Sequence, residues 1–193
     1  MAARLPEPND RRVQRTRRTL RAALISLLYE QGWDQIAVQD ICNRADVGRS
    51  TFYTHFADKE ELLIGGFEDL RAMIRAGLAQ SPASQVPLGF VTDVINHAHA
   101  NRRLFKALLG GSGQVVLRQF RETIVALVRE DPAVASVQGP AADAAVHFIA
   151  GAFVELLSWW LEAHSPLQPS EVERLFLQMA RPAVSLLLPP PGG

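Results

Sequence analysis

The sequence contains a single cysteine, Cys42, and only two lysines beside 18 arginines. One thiol excludes an intrachain disulfide framework, and it also excludes a zinc site built from several thiolates. Because this use of cysteine fits a reducing compartment, we predict a cytoplasmic location.

The chain also lacks an excess of either charge, since 20 basic and 20 acidic residues cancel. A global field toward nucleic acid, a membrane surface or an acidic substrate is therefore excluded, and any such partner must be recognised through local charge. Local charge is uneven. Residues 1–21 hold seven arginines against two carboxylates, so positive charge is concentrated at one end of the chain.

No run of about 20 apolar residues, the length that a membrane helix needs, is visible. The richest apolar stretch, 148–161, is interrupted by Glu155 and Ser158, and the basic N-terminal residues are not followed by the apolar segment of a secretory signal. These absences predict a soluble protein.

Patterns typical of enzymes are missing as well. The HExxH, P-loop and GxSxG motifs are absent, and no paired catalytic residues stand out. His97 and His99 are two positions apart, so on a helix they point about 200° apart and cannot share one metal. We therefore predict neither an enzyme nor a bound metal or cofactor.

Apolar residues recur three and four positions apart nearly throughout, and no segment shows sustained two-residue alternation. This periodicity predicts an all-α fold. The first helix is expected to begin near Asn9 or Asp10 and to end before Gly32, with Leu20, Leu24, Leu27 and Leu28 as its buried stripe. Ser170 with Glu173 resembles a capping box before the last helix, which Pro182 is expected to kink or end.

Residues 33–63 have the pattern of a helix-turn-helix. We predict short helices over 38–45 and 49–55, joined by a turn at 46–48, and a further helix opened by a capping box of Asp58 and Glu61. The second short helix would lie in the major groove of DNA. Its outward polar residues would be Arg49, Ser50, Thr51, Tyr53, Thr54 and His55. The alternative is that these residues form an ordinary solvated helix face.

The same residues resemble the DNA-binding domain of the TetR/AcrR family of bacterial transcriptional regulators over roughly residues 12–66. The matching positions are Val38, Ile41, Ala45, Val47, Thr51, Tyr53, Phe56, Lys59 and Leu62. The resemblance implies a three-helix DNA-binding domain over 1–66, with 1–10 as a flexible arm. A C-terminal helical bundle over 67–193 would bind an effector and dimerise.

The resemblance also implies roles for single residues. Tyr53 and Lys59 would bind phosphates, although an ordinary surface lysine is the alternative for Lys59. Arg49 is the candidate for reading guanine, because its forked donors match the O6 and N7 acceptors. Arginines along and before the first helix, among them Arg17 and Arg18, would add salt-dependent affinity. A solvated basic tail is the alternative for Arg4, Arg11 and Arg12.

Four departures from the family pattern bear on DNA binding. Ala37 cannot cap the second helix through its side chain, and Cys42 replaces an alanine. Asp46 replaces the turn glycine and brings a negative charge near the DNA face. Gly48-Arg49-Ser50 replaces the usual Ser-x-Gly, so a phosphate contact would shift to Ser50.

The C-terminal helices carry the predicted dimer interface and effector pocket. The segment 148–161 is apolar nearly all round, which favours packing against a second subunit, while burial within one subunit is the alternative. The predicted interface residues are Phe148, Ala152, Trp159, Trp160 and Phe176. The predicted pocket residues, for which plain core is the alternative, are Met73, Ile95, Phe105, Phe120 and Phe153.

Together these features favour a homodimeric, ligand-responsive transcriptional regulator that binds a palindromic operator in double-stranded DNA and acts as a repressor. The alternative is an adaptor or coactivator of the same fold that binds a partner protein instead of DNA. Asp46 and the missing cap at Ala37 keep that alternative open. A small-molecule-binding enzyme is a third hypothesis, and it lacks a recognisable catalytic pocket.

Overall fold

A computed structural model of the chain describes residues 8–80, 86–110, 113–162 and 165–185. Within these ranges the chain forms helices and loops and no strand, which confirms the all-α prediction. The helices are α1 (Pro8–Leu28), α2 (Val38–Ala45), α3 (Arg49–His55), α4 (Lys59–Leu78), α5 (Phe90–Ala100), α6 (Arg102–Gly110), α7 (Gly113–Glu130), α8 (Pro132–Ala135), α9 (Pro140–Glu162) and α10 (Pro169–Ser185), with a 3₁₀ turn at Trp33–Gln35. Arg4 and most of the predicted arm lie outside the described residues.

The first helix starts earlier than predicted. It begins at Pro8 rather than being capped by Asn9 or Asp10, because proline is favoured in a first helical turn, where its missing N–H has no partner to lose. Residues 8–10 of the predicted arm are therefore helical. The predicted leucine stripe is confirmed, since all four side chains are buried. Through this stripe α1 packs against α2, α3 and α4.

The two short helices have the predicted bounds. Between them Asp46 adopts the left-handed conformation, with φ 53° and ψ 49°, and its N–H donates to Asn43 O. Aspartate tolerates this conformation better than most residues other than glycine and asparagine, so the turn survives without the family's glycine. The N–H of Ala37 donates to the Asp40 carboxylate at 2.8 Å, although Ala37 itself offers no side-chain cap.

Helix α4 continues past the predicted domain boundary at 66/67 without a break. At its start Asp58 Oδ1 accepts from Glu61 N at 2.8 Å, as the capping-box pattern predicts. The reciprocal bond is displaced by one residue, because the Glu61 carboxylate accepts from Ala57 N rather than from Asp58 N.

One hydrophobic core joins the N-terminal helices to the rest, running from Leu20 to Val184. Helix α7 packs against α4 and α9, and α9 also contacts α6 and α10. Phenylalanine rings from several helices meet inside: the Phe153 ring lies 4.9 Å from Phe176, and the Phe105 ring lies 5.7 Å from Phe120.

A buried carboxylate links α8 to the start of α5. Asp131 accepts from Ala133 N at 3.0 Å and from Leu88 N at 2.7 Å. Leu88 has a φ of 62°, which is unfavourable for a residue with a Cβ, and the hydrogen bond that its N–H donates to Asp131 helps to hold it there. Burial raises the pKa of Asp131, while the two backbone hydrogen bonds act in the opposite direction.

Helix α9 is longer than the apolar stretch seen in the sequence. With 23 residues it is long and apolar enough to cross a membrane by length and composition alone. It nevertheless contacts α6, α7 and α10 and buries nine of its side chains, from Ala142 to Leu161. A core helix passes the same test of length and composition, and α9 is such a helix.

The last helix corrects the predicted cap and one of the two alternatives given for Pro182. It begins at Pro169, so Ser170 lies inside it and is not its cap. The Glu171 carboxylate accepts from Gln168 N at 2.7 Å, and Glu173 instead accepts from the Thr92 hydroxyl of α5. Pro182 does not end the helix, which continues to Ser185.

Candidate nucleic-acid interface

Helix α3 divides cleanly into a buried face and an exposed face. Phe52 is fully buried, and its ring lies 6.0 Å from that of Phe56, which anchors the end of the helix in the core. The predicted outward residues are exposed or half-buried, as their spacing indicates: Arg49, Ser50, Thr51, Tyr53, Thr54 and His55. The helix therefore presents a guanidinium, hydroxyls, a phenol and an imidazole on one side.

Arg49 and Tyr53 form a pair at the front of α3. Arg49 Nη2 donates to Tyr53 Oη at 3.2 Å, and the guanidinium lies 5.7 Å from the centre of the tyrosine ring. The hydrogen bond to Tyr53 raises the pKa of Arg49. Both groups stay exposed, so the pair can meet a phosphate or a base edge together.

Arg17 braces α3 from behind. Its Nη2 donates to the carbonyl of His55, the last residue of α3, at 3.4 Å, and its guanidinium lies 5.1 Å from the centre of the Phe56 ring. Arg17 therefore fixes α3 against α1. Arg18, which also carries a predicted phosphate role, is exposed and lines a cleft between α1 and α4.

A groove of about 330 Å³ lies between α1 and α3. Its lining brings together residues of both helices: Arg12, Val13, Thr16, Ser50, Thr51, Thr54 and His55. Two of its hydroxyls already bond within their own helices, since Thr16 donates to Arg12 O and Thr54 to Ser50 O. The Arg12 guanidinium and the hydroxyls provide donors for an anionic backbone.

Lys59 is held in the fold rather than extended into solvent. Its Nζ donates to Trp33 O and Ile36 O, each at 2.8 Å, and lies 4.5 Å from the centre of the Trp33 ring. Burial lowers the pKa of Lys59. Two of its three donors are thus occupied by the carbonyls of the 3₁₀ turn and its end.

Sequence reasoning missed one polar link that fixes the helix-turn-helix. Arg44 of α2 forms a two-pronged ion pair with Glu30, at 2.8 and 2.6 Å, and also contacts the hydroxyl of Ser26. The pair lowers the pKa of Glu30 through the hydrogen bond from Arg44. The opposite charges were visible in the sequence, but nothing showed that α1 and α2 bring them together.

The predicted effector-pocket residues separate into two groups. Met73 and Phe105 line a cleft of about 410 Å³ between α1, α4 and α6. Ile95, Phe120 and Phe153 do not line this cleft and are buried in the core, so their assignment to an effector pocket stays a prediction. These three side chains pack against other helices from all sides, which helical spacing alone cannot reveal.

The predicted dimer-interface residues also separate into two groups. Phe148, Ala152 and Trp159 lie on one exposed face of α9, and Phe148 is 60% exposed and Trp159 46%. Trp160 and Phe176 are each 1% exposed, so placing them at an interface is wrong. The indole of Trp160 donates to Leu167 O at 3.0 Å and belongs to the subunit's own core.

Within the described ranges, no three His, Cys, Asp or Glu side chains converge to hold a metal. His97 packs edge-on against Phe105, whereas His99 stacks on Trp160, so the two imidazoles face different neighbours.

Comparison with known proteins points to transcriptional regulators. Residues 20–65 match the family described as bacterial regulatory proteins, tetR family. The chain is 47% identical over 55 residues to the uncharacterized HTH-type transcriptional regulator YxbF of Bacillus subtilis, and 31% identical over 83 residues to the HTH-type transcriptional regulator TcmR of Streptomyces glaucescens. These matches cover 28% and 43% of this chain but only 14% and 37% of the two relatives.

The similarity in fold extends over most of the chain. A TetR transcriptional regulator from Streptococcus agalactiae superposes with a TM-score of 0.67 at 27% identity, covering 89% of this chain and 97% of that one. These relatives are transcriptional regulators and not enzymes.

Proposed function

We propose that the chain is a TetR-type regulator, on the strength of the family match over residues 20–65, and that it acts in the cytoplasm as a homodimeric, ligand-responsive repressor of transcription. The observation that carries this proposal is the polar, exposed face of α3, braced from behind by Arg17 and by buried Phe52. An α-helix fits the major groove, and a rigid support keeps its side chains in register with base edges.

In this proposal Arg49 reads a base edge, while Tyr53, Ser50 and the groove between α1 and α3 hold the DNA backbone. Lys59 instead supports the 3₁₀ turn in front of α2, because its ammonium already serves two carbonyls. A dimer would place two copies of α3 in successive major grooves, roughly 34 Å apart, on a palindromic operator.

An exposed apolar stripe supports the proposed dimer. Phe148, Ala152 and Trp159 lie on one exposed face of α9. Helix α10 packs against α9, and its Met179 is 61% exposed. Large exposed apolar side chains on two packed helices favour burial against a second copy. Two helices from each subunit would then form a four-helix interface.

Regulators of this family bind DNA and small-molecule ligands. We propose that an effector here shifts the dimer toward a spacing of its α3 helices that no longer matches the operator. A coupling free energy of about 1–3 kcal/mol is enough for a useful switch.

The test is to measure binding to the DNA upstream of the gene that encodes this chain, over a range of salt concentrations. The wild-type affinity should fall steeply with salt, because each phosphate contact releases counterions. We expect Arg49→Ala to weaken the free energy of binding to the cognate site by about 1–3 kcal/mol. The variant should also discriminate less between that site and unrelated DNA. Arg103→Ala, an exposed arginine of α6, is the matched control and should leave both unchanged. An Arg49→Ala protein with undiminished sequence preference contradicts the base-reading role.

A second candidate is an adaptor of the same fold that binds a partner regulator. It is favoured by Asp46, whose exposed carboxylate lies in the turn directly before α3 and would repel a DNA backbone. An adaptor would show neither salt-dependent DNA binding nor an effect of Arg49→Ala, so the same titration separates the two functions.

A further inference from the structure

The cleft of about 410 Å³ lies at the junction between the helix-turn-helix and the rest of the molecule. Helices α1, α4 and α6 form its walls, and His97 of α5 closes one side. The walls are almost wholly apolar and include Ala22, Gly66, Phe67, Met73, Leu104 and Phe105. This volume lies in the range of clefts that hold small molecules, which is about 300–1,000 Å³.

The polar lining of the cleft is cationic on balance. Arg21 pairs with Asp69, which cancels one positive charge, and its guanidinium crosses α4 at Gly65, where an added Cβ would lie 2.8 Å from Nη2. Arg18 is exposed and has no carboxylate partner among the described residues. Burial lowers the pKa of His97, which favours the neutral imidazole at neutral pH.

We propose that this cleft binds a compact aromatic or alicyclic acid, with its ring system against the apolar walls and its carboxylate on Arg18. An unpaired guanidinium beside an apolar cleft suits an anion with an apolar body, because guanidinium and carboxylate form charge-assisted hydrogen bonds. The inference rests on the proposed function, since it names the chemical class and the location of the effector.

The position of the cleft connects it to the DNA-reading helix. Arg17, which precedes Arg18 on α1, donates to the C-terminal carbonyl of α3. A ligand wedged between α1 and α4 therefore contacts the helix that braces α3.

The test uses the full chain and 2-naphthoate as the probe, with binding measured by titration calorimetry. We expect saturable binding of one molecule per subunit, and binding of the neutral analogue 2-naphthamide about tenfold weaker because it lacks the charge. Arg18→Gln should weaken 2-naphthoate by a similar factor and leave 2-naphthamide unchanged. Arg103→Gln, which removes an exposed arginine of α6 outside the cleft, is the control and should bind like the wild type.

A second variant tests the apolar part of the site. Gly66→Leu fills the cleft from α4, where an added Cβ meets nothing within 4 Å, and it should abolish binding of both compounds. If this variant fails to fold, Ala22→Leu fills the cleft from the exposed side of α1. Undiminished binding in a folded cleft-filling variant, equal binding of the acid and the amide, or no saturable binding at millimolar probe would each overturn the proposal.

DNA binding is measured on the same preparations without the probe. A protein that binds its upstream DNA but not 2-naphthoate refutes the acid-binding cleft alone. A protein that binds 2-naphthoate but no DNA refutes the proposed function, and the cleft is then a site on a protein of another role.

Discussion

At the scale of single residues, Lys59 has a structural contact that the family pattern does not indicate. The pattern assigns this lysine to DNA phosphate, but its ammonium closes the 3₁₀ turn by bonding two carbonyls. The two carbonyls belong to Trp33 and Ile36, which precede Lys59 by 26 and 23 positions in the sequence. A short sequence pattern therefore could not indicate the contact.

We expect Lys59→Met to lower the free energy of unfolding by about 1–3 kcal/mol, because it leaves two carbonyls without their donor. Lys106→Met, at the exposed second lysine of the chain, is the matched control and should change stability by less than about 0.5 kcal/mol. Urea unfolding followed by circular dichroism measures both. A Lys59→Met protein that keeps wild-type stability but loses DNA affinity would instead support a phosphate-binding role for Lys59.

The lone cysteine allows another residue-scale prediction. Cys42 is buried on α2, and burial raises the pKa of its thiol, so little thiolate forms at neutral pH. We expect the native protein to react with Ellman's reagent much more slowly than the urea-unfolded chain, as followed by absorbance. Equal rates would show that α2 opens readily.

At the scale of elements, most helix bounds follow from local rules. The turn at Asp46 and the capping aspartate of α4 depend on neighbouring residues, so the sequence predicts them. The errors lie at the starts of α1 and α10. Each of these helices begins at a proline, which is compatible with a first helical turn. In α10 tertiary contacts also outweigh the capping signal at Ser170.

Asp131 provides a test of how two elements are joined. Because burial raises its pKa, the folded chain holds a proton that the unfolded chain releases between about pH 4 and the raised value. This group therefore adds stability at acid pH that is lost as the pH rises. The free energy of unfolding of the wild type, minus that of Asp131→Asn, should fall as the pH rises through this window in urea titrations. A constant difference would contradict the raised pKa.

At the scale of the whole molecule, neighbouring positions in the sequence are a poor guide to which side chains are buried. Trp159 and Trp160 are neighbours on a helix that is apolar all round, so the pattern cannot show which one faces outward. In the structure Trp159 is half-exposed, whereas Trp160 is buried within the subunit and stacks against His99. Pocket residues were hard to predict for the same reason, since burial depends on helices that are distant in the sequence.

We expect Phe148→Glu to weaken the proposed dimer by about tenfold or more, because it places a charge in an apolar contact. Val86→Glu, at an exposed apolar residue before α5, is the control and should leave association unchanged. Sedimentation velocity over a range of concentrations measures both. A wild-type chain that stays monomeric at micromolar concentration would contradict the proposed dimer.

The two bracing arginines of α1 have a mechanical consequence. Arg17 bonds the end of α3 and Arg21 pairs with Asp69 of α4, and the two lie one helical turn apart along a rigid rod. A rotation of α1 about its own axis would therefore displace α3 and α4 at the same time.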